Sequence, residues 1–220
     1  MRTVKVKICG ITREEDVRIA SDSGADAVGF VVGVPSSPRN VTLRKAESLV
    51  KLVPLFVTSV LVTVPTGIDG VKKMFEALNT DAVQIHGEVI PDATALRANL
   101  PNTHLIRAVK VNPLDARKGA LEASKSFDAV ILDSSAQGKY GGTGIVHDWH
   151  LSRGVRDAIH PTPLLLAGGL TPENVQEAIH TVHPYAVDIS TGVESRPGVK
   201  DPAKVSTFIT KAKEIKLCDT

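Results

Sequence analysis

Cysteine is nearly absent from this chain: its 220 residues hold two, Cys9 and Cys218, too few for a disulfide framework. An excess of one charge is also missing. The formal net charge is +2, with no run of Lys or Arg and no interleaving of basic and aromatic residues, so a nucleic-acid partner is not expected. No apolar stretch approaches the roughly 20 residues that a membrane-spanning helix needs, and the N-terminus carries no apolar signal-peptide core. A cytoplasmic protein with no membrane partner is the expectation. A G-x-G-x-x-G turn after the first apolar run, the mark of a dinucleotide-binding open sheet, is lacking as well.

What is present is an ordinary soluble composition, 42% hydrophobic and 23% charged, enough for one buried core. Short apolar runs at 4–9, 27–32, 58–64, 82–86, 104–110, 129–133, 163–167 and 186–190 alternate with helix-patterned segments such as "REEDVRIASDSG" and "TPENVQEAIHTV". A repeated strand–helix unit enforces parallel strands and right-handed crossovers. Eight units predict an α/β fold, a single-domain (β/α)8 TIM barrel over residues 1–220; a doubly wound open sheet is the alternative, disfavoured because no run reads as an edge strand. Thr12 with Glu15 has the pattern of a capping box, and Thr171-Pro172-Glu173 that of a capped helix start.

Parity locates a site. In "VKVKIC" Val4, Val6 and Ile8 suit a helix-covered face, which leaves Lys5, Lys7 and Cys9 for the barrel lumen. By the same rule Gln84 and His86, Asp133, and Asp188 and Ser190 face inward at the C-terminal ends of their strands. Buried groups of this polarity are costly unless paired, so their convergence at one end points to a site, with Asp188 able to pair with Lys5 or Lys7. Glycine-rich segments follow the last three strands: "KYGGTG", "AGGLTPEN" and "DISTGVESRPGVKD". Backbone amides at Gly142, Gly144, Gly168, Gly169, Ser190, Thr191 and Gly192 are placed where barrels commonly hold phosphate.

The segments "KICGIT", "GFVVGVPSSPRNV", "VQIHG", "LDSSAQGKYGGTG", "LLLAGGLTPENV" and "DISTGVESRPGVKD" run in this order from residue 7 to 202. Together they resemble the phosphoribosylanthranilate isomerases of tryptophan biosynthesis. The resemblance implies a cofactor-free, metal-free Amadori rearrangement of N-(5-phosphoribosyl)anthranilate to the 1-deoxyribulose 5-phosphate derivative. Matched residue by residue, it implies Asp133 as general acid and Cys9 as general base. It also implies Arg39 as the fork that holds the anthranilate carboxylate, and Gln84, His86 and Asp188 as substrate contacts. Where the family usually reads GGTGK, an aromatic and Asp-Trp, this chain has "GGTGIVHDW", with Ile145 and His147. Proton transfer near neutral pH calls for a lowered Cys9 pKa, with Lys7 as the nearby cation, and a raised Asp133 pKa. The partner expected is thus a phosphosugar–anthranilate small molecule, bound by a monomer or homodimer. The alternatives are another phosphosugar barrel enzyme or a phosphate-binding module without catalysis.

Overall fold

A computed structural model describes residues 1–88, 92–112, 114–134 and 148–218. Gly142 and Gly144, with the Ile145 and His147 departure, lie outside the described residues. Eight strands alternate with eight helices: β1 (Lys5–Ile8), α1 (Glu14–Asp22), β2 (Ala27–Val32), α2 (Leu43–Val50), β3 (Thr58–Thr63), α3 (Ile68–Leu78), β4 (Ala82–Ile85), α4 (Ala93–Asn99), β5 (His104–Lys110), α5 (Ala116–Ala123), β6 (Ala129–Asp133), α6 (Trp149–Ile159), β7 (Leu164–Leu166), α7 (Val175–Val182), β8 (Ala186–Ile189) and α8 (Pro202–Glu214). Each strand pairs in parallel with its sequence neighbours, and pairings of β1 with both β8 and β2 close the sheet into a barrel. Among the described residues no helix is long and apolar enough to cross a membrane.

Burial follows the strand period. Val4, Val6, Ile8, Val28, Phe30, Leu61, Val83, Leu105, Val130, Leu132 and Val187 join the layer between sheet and helices. Val31, Val60, Val62, Ala82, Ile106, Ala108, Ala129, Ile131, Leu165 and Ala186 form a second cluster inside the barrel, together with Cys9. Many of these interior residues are alanine. The small volume gives Lys7, 2% exposed, room to lie across the lumen. Lys5 departs from the lumen expectation: it is on the inward parity, but at the N-terminal rim, where it stays exposed and pairs with Asp26 at 3.0 Å.

Two helix starts differ from their sequence patterns. Thr12 does not cap α1: its hydroxyl donates to the Gly198 carbonyl, and Arg13 at the N-cap makes no side-chain cap bond. Thr171 closes a turn instead of starting α7. Its hydroxyl accepts the Glu173 amide, its own amide donates to Asn174 Oδ1 at 2.8 Å, and the helix begins at Val175. Both residues serve loops at the C-terminal mouth. Asp201 behaves as a helix cap should, accepting the Lys204 amide at 3.1 Å with Pro202 in the first turn.

Candidate active site

A cavity of about 150 Å³ opens at the C-terminal mouth, and Cys9, Arg39, Gln84, His86, Asp133 and Asp188 all line it, as do Gly168, Gly169, Ser190, Thr191 and Gly192. The described residues that parity or resemblance selected are therefore in one place, except Lys5 at the opposite rim and Lys7, which lies beneath the cavity paired with Asp188. Cys9 extends β1, its amide donating to the Ile189 carbonyl at 2.8 Å. Asp188 stands directly across the ladder from Lys7, and its Oδ1 accepts the Lys7 ammonium at 2.8 Å. Burial alone would strip the Lys7 proton, but the Asp188 carboxylate and the Cys9 sulfur outweigh it and hold the ammonium more firmly than usual.

Asp133 ends β6, buried, and no described residue hydrogen-bonds or ion-pairs with its carboxyl. Burial first, then the neighbouring Asp188 charge, push its pKa up to about 6, with Lys7 pulling the other way. The raised value agrees with the expectation for a proton donor. Cys9 does not agree with its expectation. Burial raises its thiol pKa; Lys7 pulls it down, but Asp188 opposes that pull, so the net direction is upward. His86 is held neutral, its pKa lowered to about 3 by burial and by the charges of Lys7 and Arg107. Its Nε2 lies 2.6 Å from Gln84 Nε2. The Gln84 carbonyl oxygen is buried with no partner among the described residues.

Arg39 is differently engaged from a free substrate fork. Its Nε and Nη2 both donate to the Glu194 carboxylate at 2.7 Å, and Nη2 also donates to Thr191 Oγ1 at 3.0 Å. One bidentate edge is thus already spent inside the protein. The side chain crosses the mouth above Gly10, where a Cβ would stand 2.5 Å from Arg39 Cδ and 2.8 Å from Ser190 Oγ; with φ at +73° the position suits glycine on both counts. Gly192 is required for a different reason. Its φ is not in the left-handed range, yet an added Cβ would collide with the Leu170 carbonyl oxygen, so the loops after β7 and β8 interlock.

A family model described as N-(5'-phosphoribosyl)anthranilate (PRA) isomerase matches residues 6–211. The chain belongs to the phosphoribosylanthranilate isomerase family. It is 41% identical to the N-(5'-phosphoribosyl)anthranilate isomerase of Methanothrix thermoacetophila, over 95% of this chain and 98% of that protein. The crystal structure of the Thermotoga maritima phosphoribosylanthranilate isomerase superposes with a TM-score of 0.85 at 38% identity, covering 96% of this chain and 100% of that one. A family structure in complex with reduced 1-(o-carboxyphenylamino)-1-deoxyribulose 5-phosphate gives 0.82 at 36% identity, with the same coverage.

Within this family frame, four residues at the mouth escaped sequence reasoning. Gly10 and Gly29 are needed because side chains pass over them; a Cβ on Gly29 would stand 2.9 Å from Cys9 Sγ and 3.2 Å from Lys7 Nζ. Glu194 and Lys200 sit in the quoted "STGVESRPGVK" segment, and nothing local marks them as partners of Arg39. The one cue in the sequence was a Glu and a Lys six positions apart inside a glycine-rich segment.

Proposed function

We propose that the chain isomerises N-(5-phosphoribosyl)anthranilate to 1-(2-carboxyphenylamino)-1-deoxyribulose 5-phosphate, in the cytoplasm, as one (β/α)8 domain spanning 1–220. The observation that carries this is the meeting of Asp133, a carboxyl with its pKa near 6 and no described partner, with Cys9 in one cavity of a family barrel. Asp133 donates its proton to the furanose ring oxygen; the C1′–O bond breaks, leaving a hydroxyl on the sugar and a protonated imine to the anthranilate nitrogen. The Cys9 thiolate removes the C2′ proton, and the electron pair moves to neutralise the imine, forming an enolamine. Ketonisation moves a proton from the C2′ hydroxyl to C1′, and solvent returns the proton from Cys9 to Asp133, so nothing is consumed and no cofactor is called for.

Backbone amides of Gly168–Gly169 and of the Ser190–Gly192 turn cradle the 5′-phosphate. The first loop is shaped for this by φ values of +86° and +68°, and the Asn174 side chain pins it by donating to the Gly169 carbonyl at 2.9 Å. Arg39 receives the anthranilate carboxylate, while Asp188, Gln84 and His86 contact the sugar. Neutral His86 contributes one ring N–H donor, and the Gln84 side-chain amide offers a donor and an acceptor. Turnover measured by loss of substrate fluorescence tests the roles. Cys9→Ser and Asp133→Asn are each expected to lose about 10²-fold or more in kcat, the scale of one acid or base, while still binding the reduced product analogue. Near-wild-type turnover in either removes that residue from the chemistry.

A further inference from the structure

We infer that Glu194 is a positioning residue for Arg39, which it orients so that the far end of the guanidinium, Nη1, meets the substrate carboxylate. This rests on the reading above that Arg39 receives that carboxylate. An arginine on a long loop has rotamer freedom that a ligand would have to remove, and the loop here already removes part of it. Arg39 is flanked by Asn40, whose Oδ1 accepts the Val34 amide at 2.8 Å, and its own amide donates to Ser37 Oγ at 3.2 Å. The side chain then reaches a glutamate 155 residues away in sequence.

The arithmetic of donors gives the orientation. A guanidinium has five N–H groups. Nε spends its one on Glu194 Oε1, and Nη2 spends its two on Glu194 Oε2 and Thr191 Oγ1. Nη1 has no partner among the described residues, and Arg39 lines the cavity. Two bonds of 2.7 Å along one edge fix the plane of the group, and with it the direction of the remaining donors.

Glu194 is held in turn. Its Oε1 also accepts the Lys200 ammonium at 3.0 Å, and Lys200 donates to the Ser190 carbonyl at 3.1 Å, tying the cluster to the loop after β8. The side chains of Arg39, Glu194 and Lys200 are 9%, 4% and 0% exposed. An isolated Arg–Glu pair would be neutral and indifferent to an anion. With Lys200 beside them the three sum to one positive charge, and the orientation set by Glu194 offers it to the cavity through Nη1. The carboxylate thus aims the arginine, and Lys200 offsets it so that the cluster keeps the positive charge that attracts the ligand.

The test compares two product analogues, one bearing the ortho-carboxylate and one with it replaced by hydrogen, as competitive inhibitors of wild type, Glu194→Asp, Glu194→Gln and Arg39→Lys. Withdrawing the carboxylate by one methylene or neutralising it is expected to reduce the preference for the carboxylate-bearing analogue about tenfold, the scale of one charge-assisted hydrogen bond. KM should rise by a similar factor, with kcat within about threefold, because binding is lost equally in ground and transition states. Inhibition by inorganic phosphate should not change. If Arg39→Lys loses the preference while both Glu194 variants keep it, Glu194 is only structural and the proposal is overturned. If Arg39→Lys also keeps it, the assignment of Arg39 falls, and the proposal with it. Should Glu194→Gln fail to fold because Lys200 is left unpaired, Glu194→Gln combined with Lys200→Met removes the stranded charge; a wild-type preference in that double variant would equally overturn the proposal.

Discussion

Replacing Asp133 by asparagine should stabilise the protein at pH 8 and not at pH 4, at a position where the proposed function expects the same exchange to lower turnover. The carboxyl has an ordinary pKa of 3.8 and is pushed up to about 6 in the fold, by burial first and by Asp188 second. A raised pKa means that the native state holds the proton more tightly than the unfolded chain does. Below pH 4 both states are protonated and the folded protein suffers no penalty. Between pH 4 and 6 the unfolded chain ionises while the native state resists. Above pH 6 the native state carries a buried charge, and stability has been lost by about two pK units, or ~3 kcal/mol. Asparagine keeps the shape and cannot ionise. It also brings an amide whose hydrogen bonds no described neighbour supplies, a pH-independent cost of ~1–2 kcal/mol. The net gain at pH 8 is therefore smaller than 3 kcal/mol, but the difference between the gains at pH 8 and pH 4 should approach that figure. Urea unfolding of both proteins across this range reads it directly. A stability difference that does not vary with pH, or one that moves toward the wild type as pH rises, would refute the account of Asp133.

Lys7→Met should destabilise by roughly 3–5 kcal/mol, because it strands Asp188 in the lumen, and Lys7→Met with Asp188→Leu should recover most of that loss; a double variant as unstable as the single would show that the pair is not coupled. Gly192→Val should weaken the reduced product analogue about tenfold or more in a calorimetric titration, by forcing the Leu170 carbonyl away and opening the interlocked loops, and unchanged affinity would remove that turn from the phosphate site.

The barrel was legible because a strand packed between helices and lumen must alternate. All eight strands fall within the sequence-marked runs, and the inward parity of Cys9, Gln84, Asp133 and Asp188 needs no long-range knowledge. Turn chemistry was less legible. Thr12 and Thr171 have the residue spacing of helix caps, but the Thr12 hydroxyl is claimed by the Gly198 carbonyl from a distant loop, while the Thr171 hydroxyl accepts the Glu173 amide in a turn that precedes the helix. Tertiary partners override a local pattern whenever they offer an equally good bond. The Arg39–Glu194 pair was hidden altogether. Its two halves are separated by most of the barrel, and only closure brings them together. Gly10 and Gly29 were hidden for a related reason: glycine in sequence signals a turn, and here it leaves space for a side chain arriving from another strand.

Cys9 is the point where a local rule for acidity failed, and the failure bears on how the site works. It lies two positions after Lys7 on the same face, so the cation was expected to draw the thiol down. The cation is present and does so, but burial and the Asp188 charge, which also holds Lys7, together outweigh it. Asp133 titrates near 6 and burial raises the Cys9 thiol above its ordinary value, so at neutral pH the favoured arrangement is carboxylate and thiol. Catalysis as proposed needs the reverse, carboxylic acid and thiolate, which is the minor population. A thiolate that is scarce because its pKa is high is also a strong base when formed, and a carboxylic acid that is scarce because its pKa lies below the working pH is a ready donor. Lys7 limits the penalty by resting against the sulfur, and Gly29 is what lets both fit there. The lumen thus trades abundance of the reactive pair for its strength, and the ion pair with Asp188 sets where that balance lies.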